Sequence, residues 1–435
     1  MSIPLDRLYH YIENVAKSVC EDDVIIYRFY PHGSKKLEDL SSFRLYDVKQ
    51  RYTNLPVYCN DQEPLQYEFY QNEFKTLQKQ SSFGSLINQY NLFIPKNLEI
   101  HGSIYDRSVL LHSEKRSHNL TLYQNNGYVP AYYWSHAIIS RDWFRFAEHI
   151  KQNKKVSRTF LIYNRAWSGT REYRLRFAEL LILMDLQNYC QTTVNPIEPE
   201  LDIHYKNHNF KNLIWRPQTV LENYFSVSDA HSSYSANFNI EDYETTDVEI
   251  VLETLFDDDR LHLTEKILRP IACGQPFILA STPGSLEYLR SYGFKTFENI
   301  WDESYDQEQD PQERMRMIAD LMKSIASWPE DVREYNMVKA QSIADFNKQY
   351  FFSKEFFNIV VGELQNNLNH ALLELKKTNT GSAWINRRKE LSKYAELKKF
   401  LLPNSNLISN QDTLTKPTLM SILTQARNYY RLHKN

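Results

Sequence analysis

The stretch "LHLTEKILRPIACGQPFILASTPGSLEYLRSYGF", Leu261–Phe294, decides how the rest of the chain is read. Thr264 has the chemistry of a helix N-cap, and Glu265 puts a carboxylate in the first turn, where the helix dipole favours it. Gly274 suits the left-handed position just past a helix end, and Pro276 opens the apolar run "PFILA". A helix that starts at the carboxyl edge of a parallel sheet is a ready site for a phosphate or a sugar hydroxyl. Lys266, in that same first turn, opposes the dipole, a small cost that a nearby anion would offset. Spacing alone fits a surface Glu–Lys pair in an ordinary βαβ unit equally well.

Outward from this stretch the same alternation continues. "RTFLIYN" (158–164) reads as a strand, "RAWSGT" as a polar turn and "REYRLRFAELLILMDL" as a helix. "NLIWRP", "VEIVLETLF", "LTEKILRPIACG", "PFILA", "SLEYLRSYG" and "FKTF" follow, and strands alternating with helices of about ten residues imply a parallel sheet. Upstream, "DDVIIYRFY", "LPVYC" and "SVLLHSE" read as strands, and "YWSHAIISRDWFRFAEHIKQ" as a helix running into the basic "KQNKK". The expected division is an N-terminal α/β domain over 1–155, a second α/β domain over 156–330, and a helical region with a basic tail over 331–435.

At 435 residues the chain exceeds one ordinary core. Apolar residues at 42% and charged residues at 24% exclude a disordered or fibrous class. No apolar run approaches the ~20 residues needed to cross a bilayer, and "MSIPLDRLYHYIENV" lacks the basic head and apolar centre of a secretory signal. Cys20, Cys59, Cys190 and Cys273 are far apart and form no CxxC, which argues against a zinc knuckle or a disulfide framework. The expected compartment is therefore a cytoplasm. Charge is uneven: from residue 375 onward twelve Lys or Arg face three acids (Glu390, Glu396, Asp412), giving +9. Against the chain's −3 this leaves −12 on residues 1–374. Such a tail is either a footprint for phosphate or a cover for the acidic body.

The order of parts resembles the donor-binding domain of the fucosyltransferase-like glycosyltransferases. "VLETLFDDDRLHLTEKILRPIACGQPFILAS" has that family's succession of a strand ending in Glu and a small polar residue, a variable loop, (V/L)TEK, an amphipathic helix and an apolar strand. "FLIYNRAWSGTREYRLRFAELL" is similar to its first strand, Asn-containing turn and arginine-bearing helix, and the likeness covers about residues 158–300. It implies a GT-B-like α/β fold, two Rossmann-like domains facing across a cleft with a helical C-terminal extension here. It also implies a donor site made from Asn164, Arg165, Arg171, Arg174, Glu253, Thr254, Thr264, Glu265 and Lys266. Arg171 best matches the phosphate-binding arginine, with Arg165 and Arg174 as alternatives. Arg171 and Lys266 would neutralise the diphosphate of a UDP- or GDP-linked sugar, and Glu265 would hold hydroxyls of the donor. The expected activity is transfer of that sugar to an acceptor hydroxyl, inverting and without a metal or other cofactor. On this view the acidic run Asp257–Asp259 is a solvated loop. The loop before TEK carries acids where the family has Gly and Tyr, so the donor sugar is not carried over.

An inverting enzyme needs a general base within reach of the attacking hydroxyl. Asp61 and Glu63 in "YCNDQEPL", and Glu114 in "LLHSEKRSHN", follow strands of the N-terminal half and are the candidates. His136 lies in an aromatic helix and reads as a packed histidine; Trp134, Trp143 and Trp167 read as core, with Trp167 near enough to the donor turn to stack on a base. A cell-surface glycan, a lipid-linked sugar and a hydroxymethylated DNA base are all open as acceptor. The Asn- and Tyr-rich, Gly-poor composition is like that of large-phage proteins, whose glycosyltransferases often modify the phage's own DNA. A DNA acceptor would call on Arg387, Arg388, Lys389, Lys398 and Lys399 for backbone phosphates and would require the base to be flipped out. The alternative is an inactive protein of this fold that binds a sugar, a nucleotide or nucleic acid.

Overall fold

The computed structural model describes residues 3–19, 24–28, 55–60, 64–65, 108–125, 128–199, 201–227 and 238–378. The chain is an α/β protein whose two main sheets are both parallel. It divides into two compact units that are not consecutive in sequence: one comprises residues 1–8, 113–117 and 133–363, the other 9–112, 118–132 and 364–435.

In the second of these units, strands β1 (Val24–Arg28), β2 (Leu55–Asn60), β3 (Ser108–His112) and β4 (Tyr128–Tyr132) stand side by side in chain order. Val109, Leu110, Leu111 and His112 are buried in succession along β3, as a parallel strand covered on both faces must be, and Val57, Cys59, Val129 and Ala131 are buried on β2 and β4. Helix α1 (Leu5–Val19) buries Leu8, Ile12, Val15 and Ala16 at helical spacing, and α2 (Asn119–Asn125) leads into β4.

The first unit carries the larger sheet: β5 (Arg158–Asn164), β6 (Cys190–Val194), β9 (Ser226–Val227), β10 (Thr246–Leu252) and β11 (Phe277–Ala280). The short antiparallel hairpin β7 (Ile197–Glu198) and β8 (Ile203–His204) lies in the excursion between β6 and β9. The spatial order is β11-β10-β5-β6-β9, all parallel. The chain therefore starts in the middle with β5, winds outward through β6 and β9, then returns to the other side of β5 with β10 and β11. That reversal between β5 and β10 is where sheets of this type open a crevice at the carboxyl ends of their strands. β10 reads "TDVEIVL" and is buried along nearly its whole length, as a central parallel strand covered on both faces must be.

The helices of this unit are α3 (Ser135–Trp143), α4 (Tyr173–Leu183), α5 (Ile240–Glu244), α6 (Glu265–Cys273), α7 (Ser285–Ser291), α8 (Pro311–Ala326), α9 (Glu330–Phe352) and the start of α10 (Lys354–Thr378). α6 begins and ends as its sequence requires. Thr264 accepts at its side chain from Lys266 N, and Gly274 takes the left-handed conformation (φ 72°) that closes the helix. The polar segment around residue 155 is pinned: Lys154 Nζ donates to the carbonyls of Tyr243 and Thr246, both at 2.8 Å, and to Gln275 Oε1 at 2.5 Å. Burial there pushes the lysine down to about 8. Two expected strands are absent: Leu213–Trp215 of "NLIWRP" forms a 3-10 turn, and "FKTF" forms no regular element.

Candidate functional site

The switch point in strand order lies between the ends of β5 and β10. The pairing of the two strands runs from Thr246 beside Arg158 to Glu249 beside Leu161, so that Leu252 and Asn164 each lie three residues further along their parallel strands. Asn164 is buried; its Nδ2 donates to the Arg174 carbonyl at 3.3 Å, while its Oδ1 is enclosed without a hydrogen-bond donor. Arg165 follows, half-buried, with its Nε enclosed and lacking an acceptor.

The three arginines of this segment have different places. Arg174 is buried and consumed internally: its guanidinium donates to the carbonyls of Ala166 (2.7 Å), Leu252 (2.6 Å) and Glu253 (3.1 Å), tying the two strand ends together. Burial lowers its pKa. Those contacts make it a strut of the crevice floor, in place of the phosphate ligand expected as an alternative. Arg171 lies in a 3-10 turn, partly exposed, with Nε 3.3 Å from the Ser168 carbonyl.

Glu253, Thr254 and the Thr264-Glu265-Lys266 triplet meet at the start of α6. The Glu253 side chain is fully buried: Oε2 accepts from Thr264 Oγ1 at 2.7 Å and Thr254 N at 3.1 Å, and Oε1 from Thr264 N at 3.1 Å and Ile267 N at 3.4 Å. Thr264 Oγ1 in turn accepts from Lys266 N at 3.3 Å. The open helix N-terminus expected from the sequence is thus already capped by a carboxylate of the same chain, and an anion here must be met mainly by side chains. Lys266 provides one. Its Nζ lies 3.3 Å from Thr254 Oγ1, 3.2 Å from Thr264 Oγ1 and 2.9 Å from Glu265 Oε1. Its awkward place in the first turn is balanced by Glu253 and Glu265, so that place does not by itself call for a phosphate.

Behind this triplet is a buried polar cluster that sequence reasoning did not assemble. His136, on α3, sets Nε2 3.5 Å from Glu265 Oε2. The His136 and His262 rings meet edge to face with centroids 5.6 Å apart, and His262 Nδ1 lies 3.1 Å from Ser113 Oγ. His136 is buried, as expected of a packed histidine, but it packs with a polar atom at the candidate site. The one signal within reach was His262, two residues ahead of Thr264 in the quoted stretch.

Glu114 differs from its expected place. Ser113–Ser117 belongs to the same unit as α6, joined to it by Lys115 N to the Leu261 carbonyl (2.7 Å) and Leu261 N to the Arg116 carbonyl (3.0 Å). Glu114 is buried and its Oε1 forms an ion pair with Arg260 Nη1 at 3.1 Å. A proton taken up there would break a buried ion pair, a poor arrangement for a general base. Asp61 and Glu63 lie outside the described residues, as do Arg387, Arg388, Lys389, Lys398 and Lys399.

The acidic run is more committed than a solvated loop. Asp257 Oδ2 accepts from Trp215 Nε1 at 3.0 Å and Asn212 Nδ2 at 3.2 Å, while Asp258 chelates the Arg260 guanidinium through Nε (2.8 Å) and Nη2 (2.6 Å). Among the described residues no group of three or more His, Cys, Asp or Glu is placed to hold a metal. Trp167 is buried, donates from Nε1 to the Asn195 carbonyl at 2.9 Å and meets His208 edge-on, so its face is not offered to a base. Two buried glutamates hold the surrounding loops. Glu198 accepts from Trp167 N and Ser168 N, and Glu172 accepts from His208, Lys211 N and Asn212 N. Among the described residues no helix is long and apolar enough to cross a membrane. Comparison with protein-family models, with curated proteins and with solved structures returns no match.

Proposed function

We propose that the chain is a glycosyltransferase that draws its sugar from a UDP- or GDP-linked donor held at the carboxyl edge of the five-stranded sheet. The observation that carries this reading is the reversal of strand order between β5 and β10, with Asn164-Arg165 at one strand end and Glu253-Thr254 with the Thr264–Lys266 turn at the other. Arg165, Arg171 and Lys266 would stabilise the charge that develops on the leaving diphosphate, the largest electrostatic demand of glycosyl transfer. Asn164 Oδ1 would accept from a donor hydroxyl. Glu253 and Arg174 act on the scaffold, fixing the strand ends and the helix start. The overall plan on this reading is GT-B-like, with the parallel-sheet unit containing β1–β4 supplying the acceptor side.

The acceptor is either a glycan or a hydroxymethylated base of DNA, and the general base is Asp61 or Glu63. Incubation with mixed UDP- and GDP-sugars and hydroxymethylcytosine-containing DNA, followed by digestion and mass spectrometry of nucleosides, separates the two acceptors. A hexose or pentose mass on the modified base assigns DNA. No adduct with any donor removes the DNA acceptor.

The donor site itself is tested by calorimetric titration of the protein with a panel of UDP- and GDP-sugars. Lys266→Ala removes a charge-assisted contact and should weaken binding by about 10- to 100-fold. A folded protein that binds no member of the panel overturns the reading. An inactive binding protein of the same fold is the second reading, favoured by the internal balancing of Lys266 by Glu265; donor binding without turnover on any acceptor would select it.

A further inference from the structure

We propose that His136 is a positioning residue of the donor site: it holds one oxygen of Glu265 so that the other stays on Lys266, fixing the only acidic and basic side chains of the helix's first turn as a unit. The proposal rests on the donor-site reading above. Its geometry is a line of buried and half-buried groups drawn from three separate segments, Ser113, His136 and His262–Lys266. Lys266 Nζ lies 2.9 Å from Glu265 Oε1, and Glu265 Oε2 lies 3.5 Å from His136 Nε2. The His136 ring meets the His262 ring edge to face, at an interplanar angle of 81°, and Ser113 Oγ holds His262 Nδ1 at 3.1 Å.

Glu265 retains 7% of its side-chain exposure and His136 3%. A carboxylate buried to that degree costs several kcal/mol unless it is paired and hydrogen-bonded. Lys266 meets one oxygen from a long, flexible side chain, a contact that by itself permits the carboxylate to rotate. A second contact from α3, an element packed against α6, removes that rotation. Ligands at the crevice would then meet Glu265 and Lys266 in one fixed arrangement, which is the form preorganisation takes in a binding site. The imidazole suits this duty because its two nitrogens are distinct: Nε2 addresses Glu265, while the rest of the ring packs on His262.

Two substitutions separate positioning from packing. A glutamine amide nitrogen reaches about where Nε2 stands, whereas an asparagine reaches only as far as Nδ1. His136→Gln should therefore retain donor affinity within about threefold, and His136→Asn should weaken it by about tenfold, the loss of one buried polar contact to the carboxylate. In a Glu265→Ala background the asparagine substitution should add no further loss, since the group it positions is gone. The readout is calorimetric titration with the nucleotide sugar that the wild-type protein binds best, with thermal unfolding of each variant to verify folding. Equal affinity of His136→Asn and wild type overturns the proposal, as does full additivity with Glu265→Ala. If His136→Asn does not fold, the glutamine variant decides: a folded His136→Gln that loses tenfold or more also overturns it. Absence of binding by the wild-type protein is a different result, which removes the donor-site reading and this proposal together.

Discussion

Glu253 caps the helix that Thr264 begins, accepting from the Thr264 hydroxyl at 2.7 Å and from its backbone N–H at 3.1 Å across eleven residues of sequence. The end of a central strand and the start of the next helix are thus locked by one buried carboxylate.

That lock makes Glu253 a stability residue first. Glu253→Ala strands the N–H groups of Thr254, Thr264 and Ile267 and the Thr264 hydroxyl. Orphaned buried donors cost about 1–3 kcal/mol each, with partial relaxation, so a loss of about 3 kcal/mol or more is expected in urea unfolding. Thr264→Ser keeps the hydroxyl and should cost less than 1 kcal/mol or so. An alanine variant as stable as wild type would show that water replaces the carboxylate.

Glu114 and Arg260 give a second separation of structure from chemistry. Their ion pair is buried, and removing Glu114 takes a carboxylate from Arg260 while Asp258 still chelates the guanidinium, a loss of about 1–3 kcal/mol. Glu114→Ala should therefore lower the unfolding midpoint clearly while leaving nucleotide-sugar affinity near normal below that midpoint. A variant with unaltered stability but turnover reduced by about 10²-fold or more would restore Glu114 as the catalytic base.

The parts legible in the sequence are those governed by local rules. The Thr264 cap, the Gly274 terminus and the strands of "RTFLIYN" and "PFILA" follow from residue type and spacing, and the structure has each of them. What was not legible depends on partners distant in sequence. Nothing local tells that Glu114 meets Arg260, 146 residues away, or that Ser113 meets His262, 149 residues away. Arg174 and Arg171 are both arginines near the same turn, and only the fold decides that the former is spent on three carbonyls. "NLIWRP" has strand composition, yet Glu172 draws the N–H groups of Lys211 and Asn212 to itself and so bends the segment away from any sheet.

Turnover is expected to persist in excess EDTA. Asp257 and Asp258 are engaged with Trp215, Asn212 and Arg260, and freeing either for a metal would sacrifice those bonds. Arg165, Arg171 and Lys266 would supply the positive charge instead. Activity abolished by chelation and restored by Mn²⁺ or Mg²⁺ would contradict this and direct attention to the acidic loop.

The last prediction concerns pH and is independent of ligand. Asp306 is buried, and both its oxygens accept from Leu286 N, at 3.1 and 3.2 Å, at the start of α7. Burial pushes its pKa up from 3.8 to about 7; the backbone bonds and Arg290 oppose the rise, and Glu303 adds to it. Because the folded value lies above the unfolded one, the folded state prefers the protonated acid. The stabilisation is complete below about pH 4, falls as pH rises toward 7, and is gone above it. Asp306→Asn retains an acceptor for Leu286 N and cannot ionise. It should match wild type near pH 4 and exceed it near pH 8 by up to about 4 kcal/mol, the linkage equivalent of a three-unit shift. Glu303, also raised by burial, remains in both proteins and is coupled to Asp306, so the difference between their curves reports the Asp306 charge together with its effect on Glu303. Urea unfolding at intervals from pH 4.5 to 8 measures it, and parallel curves for the two proteins would show that Asp306 ionises in the folded state at its ordinary pKa.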